Sequence, residues 1–274
     1  ISPDGEMLAA SLADGDVGLW SAATGARLQP LKGIGDTLND AAFSRDGKRL
    51  IGCNWSSIAR IWTIADASHV DMQGFEGGSN GCDFSPDGSR AVVGSTKNAA
   101  YLFDAANGAL LQRVEFSEPV SRVRFRPDGR VLAISGAGGA LGLYDAGAKQ
   151  ISPVEGHPGG VNAILYSSDG EQLFTAGEDR SVAIRDASSG AIIRRLEGHR
   201  QRVWGLVLLG DDRLATASAD KTVRIWRISD GALLAVIGGF ADGPYGLAWS
   251  SARDRLIVNV PGAPPQFLDG DSAP

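Results

Sequence analysis

Short apolar runs, mostly five to seven residues long, recur along the chain between turns rich in Gly, Asp and Ser. One block shows the pattern. Val203–Leu209 is followed by a turn at Gly210-Asp211-Asp212, then by Leu214–Ser218. A turn at Asp220-Lys221 leads to Thr222–Trp226, and Leu233–Ile237 follows the Asp230-Gly231 turn. Runs this short, β-branched or aliphatic and bounded by turn residues, read as strands; no apolar stripe of helical period accompanies them. The pattern predicts an all-β chain with four strands in each block.

The block itself repeats. An Asp-Gly turn leading to an apolar position recurs at Asp4…Leu8, Asp46…Leu50, Asp87…Ala91, Asp128…Leu132 and Asp169…Leu173, with degenerate copies at Leu214 and Leu256. The apolar positions are 41 or 42 residues apart. A bulky strand-closing residue keeps the same phase: Trp20, Trp62, Phe103, Tyr144, Arg185, Trp226 and Phe267. Two independent anchors in register over the whole chain define a tandem repeat. Four strands per repeat of this length match one β-propeller blade, and a blade buries both faces only when stacked on its neighbours. The expectation is a single seven-bladed β-propeller of four-stranded antiparallel blades over 1–274. Its blades fall near 1–32, 33–74, 75–115, 116–155, 156–197, 198–238 and 239–274.

Gly198-His199, Asp220, Ile225-Trp226 and the Ser-Pro-Asp-Gly turns at Ser2–Gly5 and Ser85–Gly88 resemble the WD-repeat family of β-propellers. The resemblance implies a structural tetrad in the sixth repeat: His199, Thr216 (or Ser218), Asp220 and Trp226. The fifth repeat keeps His157, Thr175 and Asp179 but has Arg185 for the tryptophan, and the first keeps Asp14 and Trp20. Repeats two, three, four and seven lack both the His and the turn Asp, so repeats five and six are expected to be the most rigid.

Composition narrows the function. Lys+Arg number 26 against 32 Asp+Glu, a net charge of −6. That balance gives no general pull toward nucleic acid or anionic membrane. No apolar run is long enough for a membrane-spanning helix. The two cysteines, Cys53 and Cys82, exclude a disulfide framework and read as reduced core thiols, and cytoplasm is the default location. The three histidines, His69, His157 and His199, are not at metal-ligand spacing, so no metal site is expected. Gly136–Ala140 is glycine-rich but sits between two strands, which is the wrong context for a nucleotide loop. No nucleophile motif appears, and the expectation is no enzyme, no catalytic residue and no cofactor.

One further position repeats. Asn39, Asn80, Ser121, Asn162, Trp204 and Tyr245 each lie near the start of a first strand, 41 or 42 residues apart. By the WD-repeat resemblance this position opens onto the face around the central channel where partners dock. Amides that adapt their hydrogen bonding and aromatic anchors suit a peptide or protein partner. Trp55, Thr96 and Glu178 are expected on the same side. Arg194, Arg195, Arg200 and Arg202 form a basic group near His199 that reads first as a solvated face, with a small anionic ligand or acidic partner segment as the other reading. The alternative is that the amides only satisfy loop backbone and that Trp204 and Tyr245 plug the channel. The expected function is thus a non-catalytic scaffold for protein interaction or sensing. One different reading is a regulatory or sensor domain of a larger bacterial signalling protein with an NTPase or protease effector, whose other domains would be partners. Another is a propeller hydrolase with a channel-mouth site.

Seven full repeats at this spacing would be longer than the chain. Repeat one begins at Ser2-Pro3-Asp4-Gly5 without its first strand, and repeat seven stops after Phe267-Leu268 without its fourth. The expectation is an incomplete seam between blades one and seven, with both absent strands upstream of Ile1.

Overall fold

In the computed structural model, which describes residues 1–12 and 15–269, all the regular elements among them are β-strands. The first sheet pairs β1 (Met7–Ser11) with β2 (Val17–Ser21). The second holds β3 (Asp40–Phe43), β4 (Arg49–Cys53), β5 (Ala59–Thr63) and β6 (His69–Met72). The third holds β7 (Ser79–Phe84), β8 (Arg90–Ser95), β9 (Ala99–Asp104) and β10 (Leu110–Glu115). The fourth holds β11 (Val120–Phe125), β12 (Val131–Gly136), β13 (Leu141–Asp145) and β14 (Gln150–Val154). The fifth holds β15 (Val161–Tyr166), β16 (Gln172–Gly177), β17 (Val182–Asp186) and β18 (Ile192–Leu196). The sixth holds β19 (Val203–Leu208), β20 (Arg213–Ser218), β21 (Thr222–Arg227) and β22 (Leu233–Ile237). The last joins β23 (Gly246–Ser250), β24 (Arg255–Asn259) and β25 (Gln266–Asp269). Strands adjacent in sequence pair antiparallel, the meander of a propeller blade.

This corrects the expected count of seven blades. Among the described residues six sheets have three or four strands, and the first repeat forms a two-stranded sheet. Beyond β2 that repeat adds only the isolated bridges Val17↔Leu31 and Trp20↔Arg27. Two bridges without a continuous ladder do not make a further strand. Asp14 lies outside the described residues.

The chain divides into two compact units. Unit 1 comprises residues 1–137 and 142–152, and unit 2 comprises 138–141 and 153–274. Within unit 1 the first strands β3, β7 and β11 pack in succession; within unit 2, β15, β19 and β23 do the same. Burial follows from this stacking. Second strands such as β8, β12 and β16 are buried on both faces from their second residue on, so they read as unbroken runs of small and aliphatic residues. First strands such as β11 and β15 alternate, and the outer strand β10 is largely exposed.

The turns follow local chemistry. Ser85 Oγ donates to Asp87 Oδ1 at 2.6 Å, and that oxygen also accepts from the Ser89 amide at 3.0 Å. Gly88 takes a positive φ. That left-handed conformation costs glycine no Cβ clash. Ser44–Asp46 and Ser167–Asp169 repeat the bond at 2.6 and 2.5 Å. The strand-closing residues Trp62, Phe103, Tyr144, Arg185 and Trp226 are all buried, whereas Phe267 in the last sheet is half exposed.

Candidate functional site

The tetrad of the sixth repeat forms in full. His199 sits before β19, Thr216 on β20, Asp220 in the β20–β21 turn and Trp226 on β21. His199 Nδ1 lies 2.9 Å from Asp220 Oδ2, and Nε2 lies 2.8 Å from Thr216 Oγ1. Trp226 Nε1 donates to the same hydroxyl at 3.0 Å. A carboxylate only accepts, so Nδ1 carries the proton and Nε2 accepts from the threonine, whose oxygen accepts from the indole. The chain of donors has one direction. Of the two hydroxyls the sequence offers, Thr216 takes this role, and Ser218 Oγ bonds instead to the Gln201 and Arg202 carbonyls at 3.1 and 2.9 Å.

Burial would raise the Asp220 carboxyl, but bonds from Thr222, the Arg200 amide and His199 outweigh it and hold the group down at about 2. For His199 burial dominates and pushes the imidazole below its usual value despite Asp220. In the fifth repeat His157 Nδ1 is 2.9 Å from Asp179 Oδ1 and Nε2 is 2.8 Å from Thr175 Oγ1. Arg185 supplies the third bond there in place of tryptophan.

The repeating first-strand positions lie where β3, β7, β11, β15, β19 and β23 begin. In unit 2 the structure joins four expected site residues into one set. Asn162 Nδ2 donates to Glu178 Oε1 at 3.1 Å, and Glu178 Oε2 lies 3.4 Å from Arg202 Nη1. The Arg202 guanidinium sits 5.1 Å above the Trp204 ring, within cation–π range. Tyr245 is 47% exposed, and its hydroxyl accepts from Asn259 Nδ2 at 2.8 Å. Arg200 is exposed and donates its amide to Asp220 at 2.9 Å. In unit 1 Asn39 Nδ2 donates to the Ser79 carbonyl at 2.8 Å and to Asn80 Oδ1 at 3.3 Å. Ser121 Oγ is 3.0 Å from Ser135 Oγ. Trp55 is 61% exposed and lies against Gly78, where an added Cβ would come 2.7 Å from the indole. The Thr96 amide donates to the Gly78 carbonyl at 2.9 Å, so Trp55 and Thr96 share that corner.

The amides do structural work as well. Asn162 Nδ2 also reaches the Val203 carbonyl at 3.2 Å, as Asn39 reaches Ser79, so each ties its strand to the first strand of the next blade. The basic group near His199 is partly neutralised: Arg195 pairs with Glu155 at 2.5 Å. His69 begins the outer strand β6 and is exposed. Among the described residues no three His, Cys, Asp or Glu side chains gather as a metal site.

Sequence reasoning passed over a charged group in unit 1. Arg124 Nη1 pairs with Asp40 Oδ2 at 3.1 Å and also donates to the Cys82 and Val123 carbonyls, both at 2.9 Å. Asp83 accepts from the Phe125 amide at 2.8 Å and the Phe84 amide at 2.9 Å. Burial outweighs Arg124 and these amides and lifts Asp83 to about 6. The signal was present: Arg122 and Arg124 alternate along β11 and Asp83 stands on β7, where the same positions in unit 2 are Ala, Gly, Leu and Val.

A family profile described as WD domain, G-beta repeat (WD40) matches residues 148–186 and 190–227, the two repeats that carry the histidine networks. The chain is also similar to a Periodic tryptophan protein 2 homolog from Neurospora crassa, 37% identical over 65 residues. That alignment covers 23% of this chain and 7% of that protein. With the His199–Thr216–Asp220–Trp226 network and the meander blades, these matches identify residues 148–186 and 190–227 as WD repeats and support the WD-repeat family of β-propellers for the chain.

Proposed function

We propose that this chain is a non-catalytic interaction module in which each unit holds a peptide or protein segment along the first-strand edges of its own blades. The observation that carries the reading is the exposure of one large aromatic at such an edge in each unit. Trp55 and Tyr245 are 61% and 47% exposed, while the aromatics that close most of the strands are buried. Exposed aromatics fixed by neighbouring backbone supply binding area at low entropic cost. The Asn162–Glu178–Arg202–Trp204 set in unit 2 adds a preorganised polar and cation–π surface.

The test is affinity capture with the intact chain against a Trp55→Ala/Trp204→Ala/Tyr245→Ala variant whose unfolding midpoint is matched to the wild type. Loss of specific partners from the variant supports the docking edge. Retention of the same partners at the same yield sinks it.

A further inference from the structure

The first strands of unit 1 differ in chemistry from those of unit 2. One and three residues after Asn80 and Ser121 stand Gly81 and Asp83, and Arg122 and Arg124; the matching residues after Asn162 and Trp204 are Ala163 and Leu165, and Gly205 and Val207. Asp40 adds a second carboxylate on β3. The two acids are accounted for: Asp40 pairs with Arg124, and Asp83 accepts two backbone amides.

Arg122 has no such partner. Its Nη1 donates to the Asn80 and Ser121 carbonyls, both at 2.8 Å, and no carboxylate lies within ion-pair distance among the described residues. Gly81 permits this approach, since an added Cβ would stand 3.0 Å from Arg122 Cα. Nε and Nη2 make no hydrogen bond among the described residues and are not among the buried unpaired atoms. These two groups form the side-on fork of the guanidinium, whose spacing matches the two oxygens of a carboxylate. Asn80 stands beside it, its Oδ1 occupied by Asn39 and its Nδ2 without a hydrogen bond among the described residues.

We propose that Arg122, assisted by Asn80, receives one carboxylate from an Asp or Glu side chain within the docked segment. The inference rests on the docking edge proposed above. A monoanion fits a single open fork. An internal acidic residue fits because Trp55 lies against Gly78, two residues before Asn80, so a segment lying over Trp55 borders β7, whose Asn80 carbonyl holds Arg122.

The test uses the full chain on arrays of C-terminally amidated peptides with randomised flanks and a central Glu, Gln or phosphoserine. Glu peptides should be retained about tenfold better than their Gln twins. Arg122→Gln should bring the two to parity, with Arg122→Lys between. Should Arg122→Gln fold poorly, the Arg122 Nε–H resonance of the wild type serves instead: it should shift with a retained Glu peptide and not with its Gln twin. Equal retention of Glu and Gln, an unmoved resonance, or a preference that survives Arg122→Gln overturns this inference alone. Preferential retention of phosphoserine overturns it in favour of phosphate. No peptide retained at all overturns it together with the docking edge.

Discussion

Arg185 Nε donates to Thr175 Oγ1 at 3.0 Å, the distance at which Trp226 Nε1 donates to Thr216 Oγ1 one repeat later. A guanidinium thus does the work of an indole, but it brings a charge into a site with no exposure. Nη1 finds the Gly190 carbonyl at 3.1 Å, and Nη2 has no partner among the described residues. Burial, with Arg195 nearby, holds Arg185 down at about 10. Restoring the indole removes a buried unpaired donor and a buried cation. Arg185→Trp is therefore expected to stabilise the chain by about 1–3 kcal/mol, read as a higher urea midpoint at unchanged slope. A lower midpoint would show that the pocket has been repacked around the guanidinium.

Thr216 serves His199 and Trp226 at once. Thr216→Val keeps the shape but strands a buried imidazole nitrogen and an indole N–H, so it should cost about 2–4 kcal/mol. Thr216→Ser should cost much less. Equal losses for the two variants would mean that packing, and not the hydroxyl, is what the site needs.

The pH dependence has two opposed parts. Burial lowers His157 and His199 below the ordinary 6.5, so below that pH the unfolded chain binds protons the folded chain refuses. Their contribution to stability is lost as pH falls through 6.5. Asp83 is raised to about 6, so the folded chain takes up its proton first and gains stability as pH falls through 6. Asp83→Asn should therefore raise the midpoint at pH 7.5 and steepen its fall between pH 6.5 and 5. Parallel pH profiles for the two proteins would refute this assignment.

Asn162 ties Glu178 to the Val203 carbonyl. Asn162→Ala should cost about 1 kcal/mol. Asn162→Asp should cost more, because it sets a second carboxylate against Glu178, and the excess should shrink in high salt. Thermal melts at two ionic strengths check both.

Trp55 separates stability from binding. Its side chain is largely exposed. Substitutions at surface positions without special features change stability by no more than about 0.5 kcal/mol, so truncating Trp55 should move the melting temperature little. A large drop in melting temperature would make Trp55 a packing residue and remove it from the docking edge.

Much of this was legible along the chain, because strand burial is a local property with a short period. The apolar runs, the Ser-x-Asp-Gly turns and the regular repeat spacing locate the strands without tertiary information. His199, Asp220 and Trp226 were legible as a network through the WD-repeat resemblance, because the loop, turn and strand that hold them lie within one repeat.

What only the tertiary structure decided involves partners from another strand or another repeat. The choice of Thr216 over Ser218 depends on which hydroxyl faces the His199 ring. The engagement of Asn39 and Asn162 depends on carbonyls 40 and 41 residues away. The first repeat ends in two isolated bridges because strand pairing there is a matter of register between segments, which composition does not report. The absence of a carboxylate beside Arg122 among the described residues follows likewise from how β3, β7 and β11 stack. Periodicity records which face of a strand is buried; it carries no record of the hydrogen-bonding group that meets that face from the next blade.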